Sequence, residues 1–414
     1  MSPDARGTCA AAASYEKRLR TFVLVVLAVF GALSVAPRVS FWITVTLLAY
    51  TSVGYPLLLF VVSALRQTSE RPASLEPTVS VLIAAHNEEG SIEQTVRNTL
   101  NLDYPKDKLE VVVVSDGSTD RTEAILENVS DVRVHWLRTS GHRGKTEAQN
   151  QAVKSCRGEI VVFSDATTVY DRNAIRCLVR HYNDPQVGAV SGRYEYLPPD
   201  LANPAVLGTA VFWRYENILK TLQSRAGTLT GSSGCIYSVR RSLYVPLPPQ
   251  SCSDMVEPLA VIRQGYRVVF ERNALAYEKT CRSLREEFRM RVRVTAHGID
   301  SILANTDLLN VFRHGWIAWQ LISHKILRWM TPVFLLNLLV MSAALVAQPP
   351  FRVLLFGQVL FYGASALLAA APRRGRWRVL GLPFQFCALH AAVVVGVSEL
   401  IAGKVYTTWH PVRN

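Results

Sequence analysis

Long apolar runs occupy both ends of the chain, and a mixed segment lies between them. Phe41 to Leu65 carries no charged residue, and Trp329 to Phe351 and Val353 to Pro372 are likewise uncharged. Because a helix rises about 1.5 Å per residue, roughly 20 residues cross a hydrocarbon core of ~30 Å. These three runs are therefore predicted to span a membrane.

Two further apolar runs each allow two interpretations. Val379 to Gly403 is interrupted by a histidine and a glutamate, so it predicts either a span or a re-entrant hairpin. Thr21 to Pro37 follows basic residues and ends in small ones, as a cleaved signal peptide does. Another apolar run begins within a few residues, so we favour an uncleaved transmembrane hairpin in residues 1–70, with further transmembrane helices in residues 330–414.

Between the apolar ends, short β-branched runs alternate with helical stretches. The predicted strands are Val79 to Ala84, Leu109 to Val114, Val132 to Trp136 and Ile160 to Ser164. Continuous apolar strands indicate burial on both faces, as in a parallel sheet. The alternation predicts an α/β, Rossmann-like domain with a mostly parallel sheet at residues 76–300, inserted between the transmembrane helices.

Polar clusters follow three of the four predicted strands. They read AHNEE after the first strand, SDGSTD after the second and SDATT after the fourth. In parallel sheets, ligands bind beyond the carboxyl ends of the strands. The clusters are therefore expected to meet at one edge of the sheet.

Charge and cysteine content narrow the class of protein. The net charge is +13, but no recognisable nucleic-acid-binding module accompanies it, and much of the excess flanks the apolar runs. Phosphate-bearing lipid or substrate is the indicated partner, and nucleic acid is not. Seven cysteines without paired spacing argue against a disulfide framework and a zinc site. Basic residues beside the apolar runs predict an integral protein of the cell membrane whose central domain is cytoplasmic.

With these clusters in order, the segment from about Pro77 to Gly298 resembles the family 2 glycosyltransferases of GT-A fold. The flanking apolar runs make it similar to the membrane-embedded branch, which includes cellulose, chitin and hyaluronan synthases. The residues that carry the resemblance are VLIAAHNEE, VVVVSDGSTD, GKTEAQNQA, VVFSDATT, GSSGCIYSVRR, SDMVEPLAVIRQGYRVVFE and REEFRMRVRVTAHG.

The resemblance implies a pocket for a nucleotide-sugar, with UDP-sugar as the expected donor. Asp116 would accept hydrogen bonds from the base or ribose. The turn that contains Ala85, Asn87 and Glu88 would assist it. Asp116 and its neighbours also suit a helix cap, and that alternative stays open. Lys145 opens a helix behind two glycines, where an ammonium and backbone N–H groups would face a diphosphate.

The family pattern after the fourth strand is Asp-x-Asp, which binds the nucleotide-sugar and a divalent metal, Mg²⁺ or Mn²⁺. Asp165 matches the first carboxylate and is the predicted metal ligand. Thr167 replaces the second, and a hydroxyl is a weaker ligand for these ions than a carboxylate. Metal dependence is therefore the implied trait that this sequence puts in question.

Asp254 in SDMVEP matches the family's catalytic aspartate. Inverting glycosyl transfer needs a carboxylate that takes the proton from the acceptor hydroxyl. Glu257 lies three residues on, on the same helix face, where it would either support Asp254 or face solvent. Trp213, Ser233 and Gly234 fall on the family's acceptor side, although core packing and a tight turn would also explain them.

The family's Gln-x-x-Arg-Trp signature is missing, and its positions hold Arg291, Val294 and Thr295. Arginines recur instead on one face of the same predicted helix. We expect Arg289 and Arg293 to contact the diphosphate, and anionic lipid headgroups are the alternative partner. Residues 301–329 mix tryptophans with basic residues, which predicts an amphipathic interface helix.

These features support three hypotheses. The first is a processive transferase that extends a polysaccharide and threads it through its own spans, with or without an accessory secretion protein. The second is a transferase that places one sugar on a lipid carrier. The third is a catalytically silent membrane scaffold, which the Thr167 substitution suggests.

Overall fold

The structure, a computed structural model, describes residues 36–66, 75–196, 204–278, 284–370 and 381–404, with Arg20, Leu24, Ala28, Gly31 and Tyr406 as single positions. The apolar run Thr21 to Pro37, with its signal-peptide alternative, lies almost wholly outside these residues. The chain divides into two compact units. One lies within Leu58–Glu287, and the other combines residues up to Leu57 with Phe288–Lys404. The division falls inside helices rather than near residues 76 and 300, and the predicted domain boundaries stay predictions.

Eight strands of the first unit form one mixed sheet. They are β1 (Val79–Ala85), β2 (Leu109–Ser115), β3 (Val134–Arg138), β4 (Ile160–Asp165), β5 (Val169–Tyr170), β6 (Val187–Tyr196), β7 (Ile236–Arg240) and β8 (Arg267–Glu278). Their order is β3-β2-β1-β4-β7-β6-β8-β5. The pairs β1–β2, β2–β3, β1–β4 and β6–β8 are parallel, whereas β7 runs antiparallel to both neighbours and β5 antiparallel to β8. The predicted α/β fold with a mostly parallel sheet is confirmed.

The α-helices among the described residues are α1 (Pro37–Ala49), α2 (Tyr55–Leu65), α3 (Ile92–Leu100), α4 (Thr122–Glu127), α5 (Lys145–Val153), α6 (Ala174–Val179), α7 (Pro204–Arg225), α8 (Ser253–Arg263), α9 (Leu284–Leu303), α10 (Val311–Leu321), α11 (Leu327–Trp329), α12 (Thr331–Ala344), α13 (Pro349–Ala370) and α14 (Gly381–Ile401). In α3, Ile92, Thr95, Val96 and Thr99 are buried. This spacing gives one apolar helix face, which packs on the sheet. Every residue of β1 is buried, as expected for a strand covered on both faces.

Three apolar helices are long enough to cross a membrane within the described part of the chain: Pro37–Leu65, Pro349–Ala369 and Pro383–Ile401. They match three of the predicted runs, and the last is a single helix rather than a hairpin. The predicted span Trp329 to Phe351 has the wrong boundaries. Its helix α12 has 14 residues and reaches spanning length only together with Val311–Trp329, from which it is bent by 55°. Proline favours a helix start over a helix interior, so a new helix begins at Pro349.

The predicted interface helix at residues 301–329 is several elements rather than one. Helix α9 continues to Leu303, and a 3₁₀ turn occupies Thr306–Leu309. Asn310 then caps α10, its side chain accepting a hydrogen bond from the Phe312 N–H at 3.0 Å. Gly315 has a φ of +31°, which interrupts the helix and which glycine tolerates because it has no Cβ.

A buried ion network joins β8 to the 3₁₀ turn Arg180–Asn183, which follows α6. Glu271 is 2% exposed, and its carboxylate pairs with Arg180 and accepts a hydrogen bond from His181 Nε2 at 2.7 Å. Burial would raise the pKa of Glu271, but the hydrogen bonds from His181 and the Asn273 backbone, with the charges of His181 and Arg180, hold it below its ordinary value. The stability from this carboxylate is therefore present above the unfolded pKa and is lost as pH falls.

Glu271→Gln is expected to destabilise the protein by about 2 kcal/mol, because it leaves the arginine without its charged partner. Thermal unfolding of the purified protein in detergent measures the change. Glu93→Gln is the matched control, since Glu93 pairs with Arg97 at the surface and such pairs contribute about 0.5 kcal/mol or less. Equal unfolding temperatures for the two variants would contradict the assignment.

Candidate active site

The ends of three parallel strands lie side by side. In the sheet register Ala85 pairs with Ser115, and Ala84 pairs with Asp165. The Asp116 N–H donates to the Ala85 carbonyl at 2.8 Å. Strand β1 lies between β2 and β4, so the chain order reverses at this point, which is where open α/β sheets bind ligands. The three polar clusters therefore share one edge, as the strand pattern predicts.

Asp116 is fully buried and holds the loop that leads into α5. Its carboxylate accepts hydrogen bonds from the backbone N–H of Arg143 at 2.9 Å, from that of Gly144 at 2.8 Å and from the Thr139 hydroxyl at 2.8 Å. Gly144 has a φ of +99°, a conformation that glycine adopts without strain. Asp116 is therefore a loop anchor rather than a helix cap, and its contact with a nucleotide base stays a prediction.

The turn after β1 is tied to the loop after β2. Asn87 has a φ of +54°, and its Oδ1 accepts a hydrogen bond from the Thr119 N–H at 2.8 Å. The buried Glu88 carboxylate accepts one from the Ser91 hydroxyl at 2.6 Å. These contacts fix the shape of the turn, and donor binding by Ala85, Asn87 and Glu88 stays a prediction.

Lys145, the first residue of α5, lies among three groups of the proposed site. Its ammonium forms an ion pair with Asp165 and lies 3.3 Å from the Gly234 carbonyl oxygen. Burial lowers the pKa of Lys145, but the charges of Asp165 and Asp254 more than offset it and leave the pKa above its ordinary value. The ammonium is therefore charged at neutral pH, and the structure brings Asp165 and Asp254 together around it.

Asp254 lies in the first turn of α8, with a neighbour at each carboxylate oxygen. The Cys252 Sγ donates to Oδ1 at 2.9 Å. On the other side is Gly234, where an added Cβ would lie 2.8 Å from Oδ2. The lack of a side chain at position 234 thus makes room for the carboxylate.

A proline fixes the backbone of Asp254. Pro258 lies inside α8 and has no N–H, so the carbonyl four residues earlier, that of Asp254, loses its helical partner. The Ser232 N–H donates to this carbonyl at 2.8 Å instead. The turn at Gly231 to Gly234 is therefore joined to the helix that carries Asp254. The motif SDMVEP contains Asp254, and Pro258 lies four residues after it. This spacing is the sequence signal for a free carbonyl at Asp254, a signal that sequence reasoning missed.

On the acceptor side, Ser233 is engaged inside the protein. Its hydroxyl accepts a hydrogen bond from the Lys220 ammonium at 2.7 Å and donates one to the Gly192 carbonyl at 2.8 Å. Trp213 packs edge-to-face on Tyr194, with ring centroids 4.5 Å apart. In the structure Trp213 and Ser233 contact other protein groups, as the packing alternative predicts. Acceptor contacts by Trp213, Ser233 and Gly234 stay predictions.

Two histidines that sequence reasoning missed lie beside Asp116. The rings of His86 and His142 stack with centroids 3.6 Å apart, and His86 Nδ1 donates to the Asp116 carbonyl at 2.7 Å. The two residues are far apart in the sequence, so no local pattern pairs them. Arg289 and Arg293 lie on α9 in the other compact unit, and their contact with a diphosphate stays a prediction.

The side chains near Asp165 do not form a metal site by themselves. The Asp165 carboxylate is paired with Lys145, and Thr167 offers only a neutral hydroxyl. Across the described ranges, no group of three or more His, Cys, Asp or Glu side chains has the arrangement of a metal site. A divalent cation held at Asp165 would need most of its ligands from a bound nucleotide.

Comparisons with known proteins show what the chain is similar to. Residues 80–245 match the family model described as Glycosyl transferase family 2. The chain is 29% identical over 233 residues to the probable glycosyltransferase YdaM of Bacillus subtilis, covering 52% of this chain and 54% of that protein. It is 27% identical over 235 residues to the poly-beta-1,6-N-acetyl-D-glucosamine synthase of Staphylococcus aureus, covering 54% and 55%. The chain thus spans about half the length of the curated relatives it matches.

A solved structure shares the fold over most of the chain. The mannosyltransferase PcManGT from Pyrobaculum calidifontis, solved with GDP-Man and Mn²⁺, has a TM-score of 0.66 and 23% identity, covering 88% of this chain and 99% of that one. Residues 80–245 therefore resemble the family 2 glycosyltransferases in sequence, and the chain shares the GT-A fold of this solved structure.

Gly234→Ala is expected to lower kcat at least tenfold, because the new methyl group would displace the Asp254 carboxylate. Unfolding temperature should change little, since the displaced group is the end of a side chain rather than backbone. Sugar transfer and thermal unfolding are measured on the same preparation. Gly90→Ala, where an added Cβ meets no atom within 4 Å, is the control that keeps full activity. An active Gly234→Ala protein would place Asp254 outside the reaction.

Proposed function

We propose that this protein is a membrane-bound inverting glycosyltransferase that transfers a sugar from a nucleotide-sugar to a growing polysaccharide. The observation that carries the proposal is the position of Asp254, close to the Lys145–Asp165 pair at the strand ends. The polymer as acceptor is supported by the Staphylococcus relative, which is named as a polysaccharide synthase.

Asp254 is the proposed general base. As the acceptor oxygen attacks the anomeric carbon, its proton passes to the Asp254 carboxylate, and the bond from that carbon to the diphosphate oxygen breaks on the opposite face. A base placed in this way contributes roughly 10²–10⁴ to the rate. The neighbouring Cys252 and Gly234 hold and make room for the carboxylate that performs this step.

Lys145 is the proposed diphosphate contact. Its ammonium is already paired with Asp165, so a bound diphosphate would compete with Asp165 for it. Asp116 and the Asn87 turn would bind the nucleoside. We expect UDP as the nucleotide, although the structural neighbour was solved with GDP-Man.

Asp165 would hold a divalent cation together with diphosphate oxygens, since Thr167 supplies no second carboxylate. Such an ion would neutralise negative charge on the leaving diphosphate. The proposed location is a membrane with the catalytic domain in the cytoplasm, and the three apolar helices of spanning length support membrane insertion.

A second candidate is the addition of one sugar to a lipid carrier. It is favoured by Arg291, Val294 and Thr295, which occupy the positions of the family's Gln-x-x-Arg-Trp signature. The same base and donor site would serve both reactions.

Asp254→Asn is expected to lower sugar transfer by about 10²–10⁴, because the amide cannot accept the acceptor proton. Purified enzyme is incubated with a panel of UDP- and GDP-sugars, and the products are sized by mass spectrometry. Glu127→Gln, at an exposed position, is the matched control and should match the wild type. Long products would indicate polymerisation. A lipid that carries a single sugar would instead support the second candidate. Equal rates for Asp254→Asn and wild type would remove Asp254 as the base.

Mn²⁺ is expected to bind the protein only when a nucleoside diphosphate is present, because the side chains alone do not complete a site. The electron paramagnetic resonance signal of free Mn²⁺ measures binding without any turnover. Asp165→Asn should abolish the nucleotide-dependent binding, while Glu127→Gln keeps it. Tight binding of Mn²⁺ without nucleotide would contradict this arrangement.

A further inference from the structure

Glu257 is a buried acid that the proposed mechanism does not use. It lies in α8 three residues after Asp254 and is 0% exposed, so the solvent-facing alternative is wrong. Neither of its carboxylate oxygens has a hydrogen-bond partner in the described structure. A bare carboxylate buried in this way costs several kcal/mol, whereas a neutral carboxylic acid costs far less.

The groups around Glu257 offer it no positive charge. Tyr237 of β7 stacks on Phe163 of β4 with centroids 4.7 Å apart, and Tyr244 stacks on the same Phe163 at 5.8 Å. Burial first, and then the charge of Glu257, raises the pKa of both tyrosines. Tyr237 also lies near Ser253, and the charge of Asp254 further raises the pKa of Tyr237.

From α5, the nearby charged group is Glu147, which together with Glu257 raises the pKa of Tyr244. Glu257 thus interacts with two hydroxyls, those of Tyr237 and Tyr244, and the carboxylates of Asp254 and Glu147 act on these tyrosines. Among the residues that the structure describes, none of the cationic side chains pairs with it. Burial raises the pKa of Glu257 to about 8.

We propose that Glu257 is a positioning residue: it is a buried, neutral carboxylic acid, and its ionisation would displace the helix turn that carries Asp254. The proposal rests on the proposed function of Asp254 as base. Ionisation of Glu257 would require water or movement of α8, and the Asp254 backbone is tied through its carbonyl to the Ser232 turn. Movement of α8 would therefore misplace the base, while Lys145 and Asp116, on other elements, keep the donor site.

The test compares kcat and donor KM of wild type and Glu257→Gln between pH 6.5 and 9.5. The wild-type kcat is expected to fall about tenfold per pH unit above ~8 with donor KM unchanged. Glutamine stays neutral and keeps the shape, so Glu257→Gln should retain wild-type kcat at pH 7 within about threefold and lose the alkaline decline. The same decline in both proteins would overturn the proposal.

Thermal unfolding gives a readout that does not depend on turnover. The folded-state pKa lies above the unfolded value, so the folded protein binds more protons and its stability falls as pH rises from about 4.5 to about 8. Glu257→Gln should lack this slope, and Glu257→Met, of similar length, is the second variant should the first fail to fold. Identical slopes in wild type and variant would overturn the proposal. If wild type and both variants all lack sugar transfer, while stability still changes with pH as expected, the proposed function alone would be refuted.

Discussion

The ammonium of Lys145 pairs with Asp165 at the edge of the sheet and also feels the charge of Asp254, and the site depends on this interaction. Asp165 ends β4 and Asp254 begins α8, so their charges come from elements far apart in the sequence. A positive charge beside two carboxylates lowers the electrostatic cost of holding them near each other.

The position of Lys145 follows in turn from a backbone contact. Asp116 accepts hydrogen bonds from the N–H groups of Arg143 and Gly144, and this fixes the loop immediately before the lysine. Asp254 is placed by a different device, because Pro258 releases its carbonyl for the Ser232 N–H. One hydrogen-bonded loop thus places the Lys145 ammonium, and another places the Asp254 carboxylate.

The parallel half of the sheet is predictable from sequence because its strands are buried on both faces and read as continuous apolar runs. The half formed by β5 to β8 is not: β6 and β8 mix polar and apolar positions, and they pair parallel although they are far apart in the sequence. The same limit applies to the site. Asp165 and Asp254 are recognisable by their motifs. For Glu257, the spacing of three residues from Asp254 predicts a shared helix face but does not predict burial. Its burial depends on Tyr237 and Tyr244, which belong to another part of the chain.

The central claim is that one pocket holds the donor between Lys145 and Asp254. An experimental structure of the Asp254→Asn protein with a bound nucleotide-sugar tests it most directly. The account predicts a diphosphate within hydrogen-bonding distance of the Lys145 ammonium, with the side chain at position 254 facing the anomeric carbon. A donor bound in full occupancy away from Lys145, Asp165 and position 254 would contradict it.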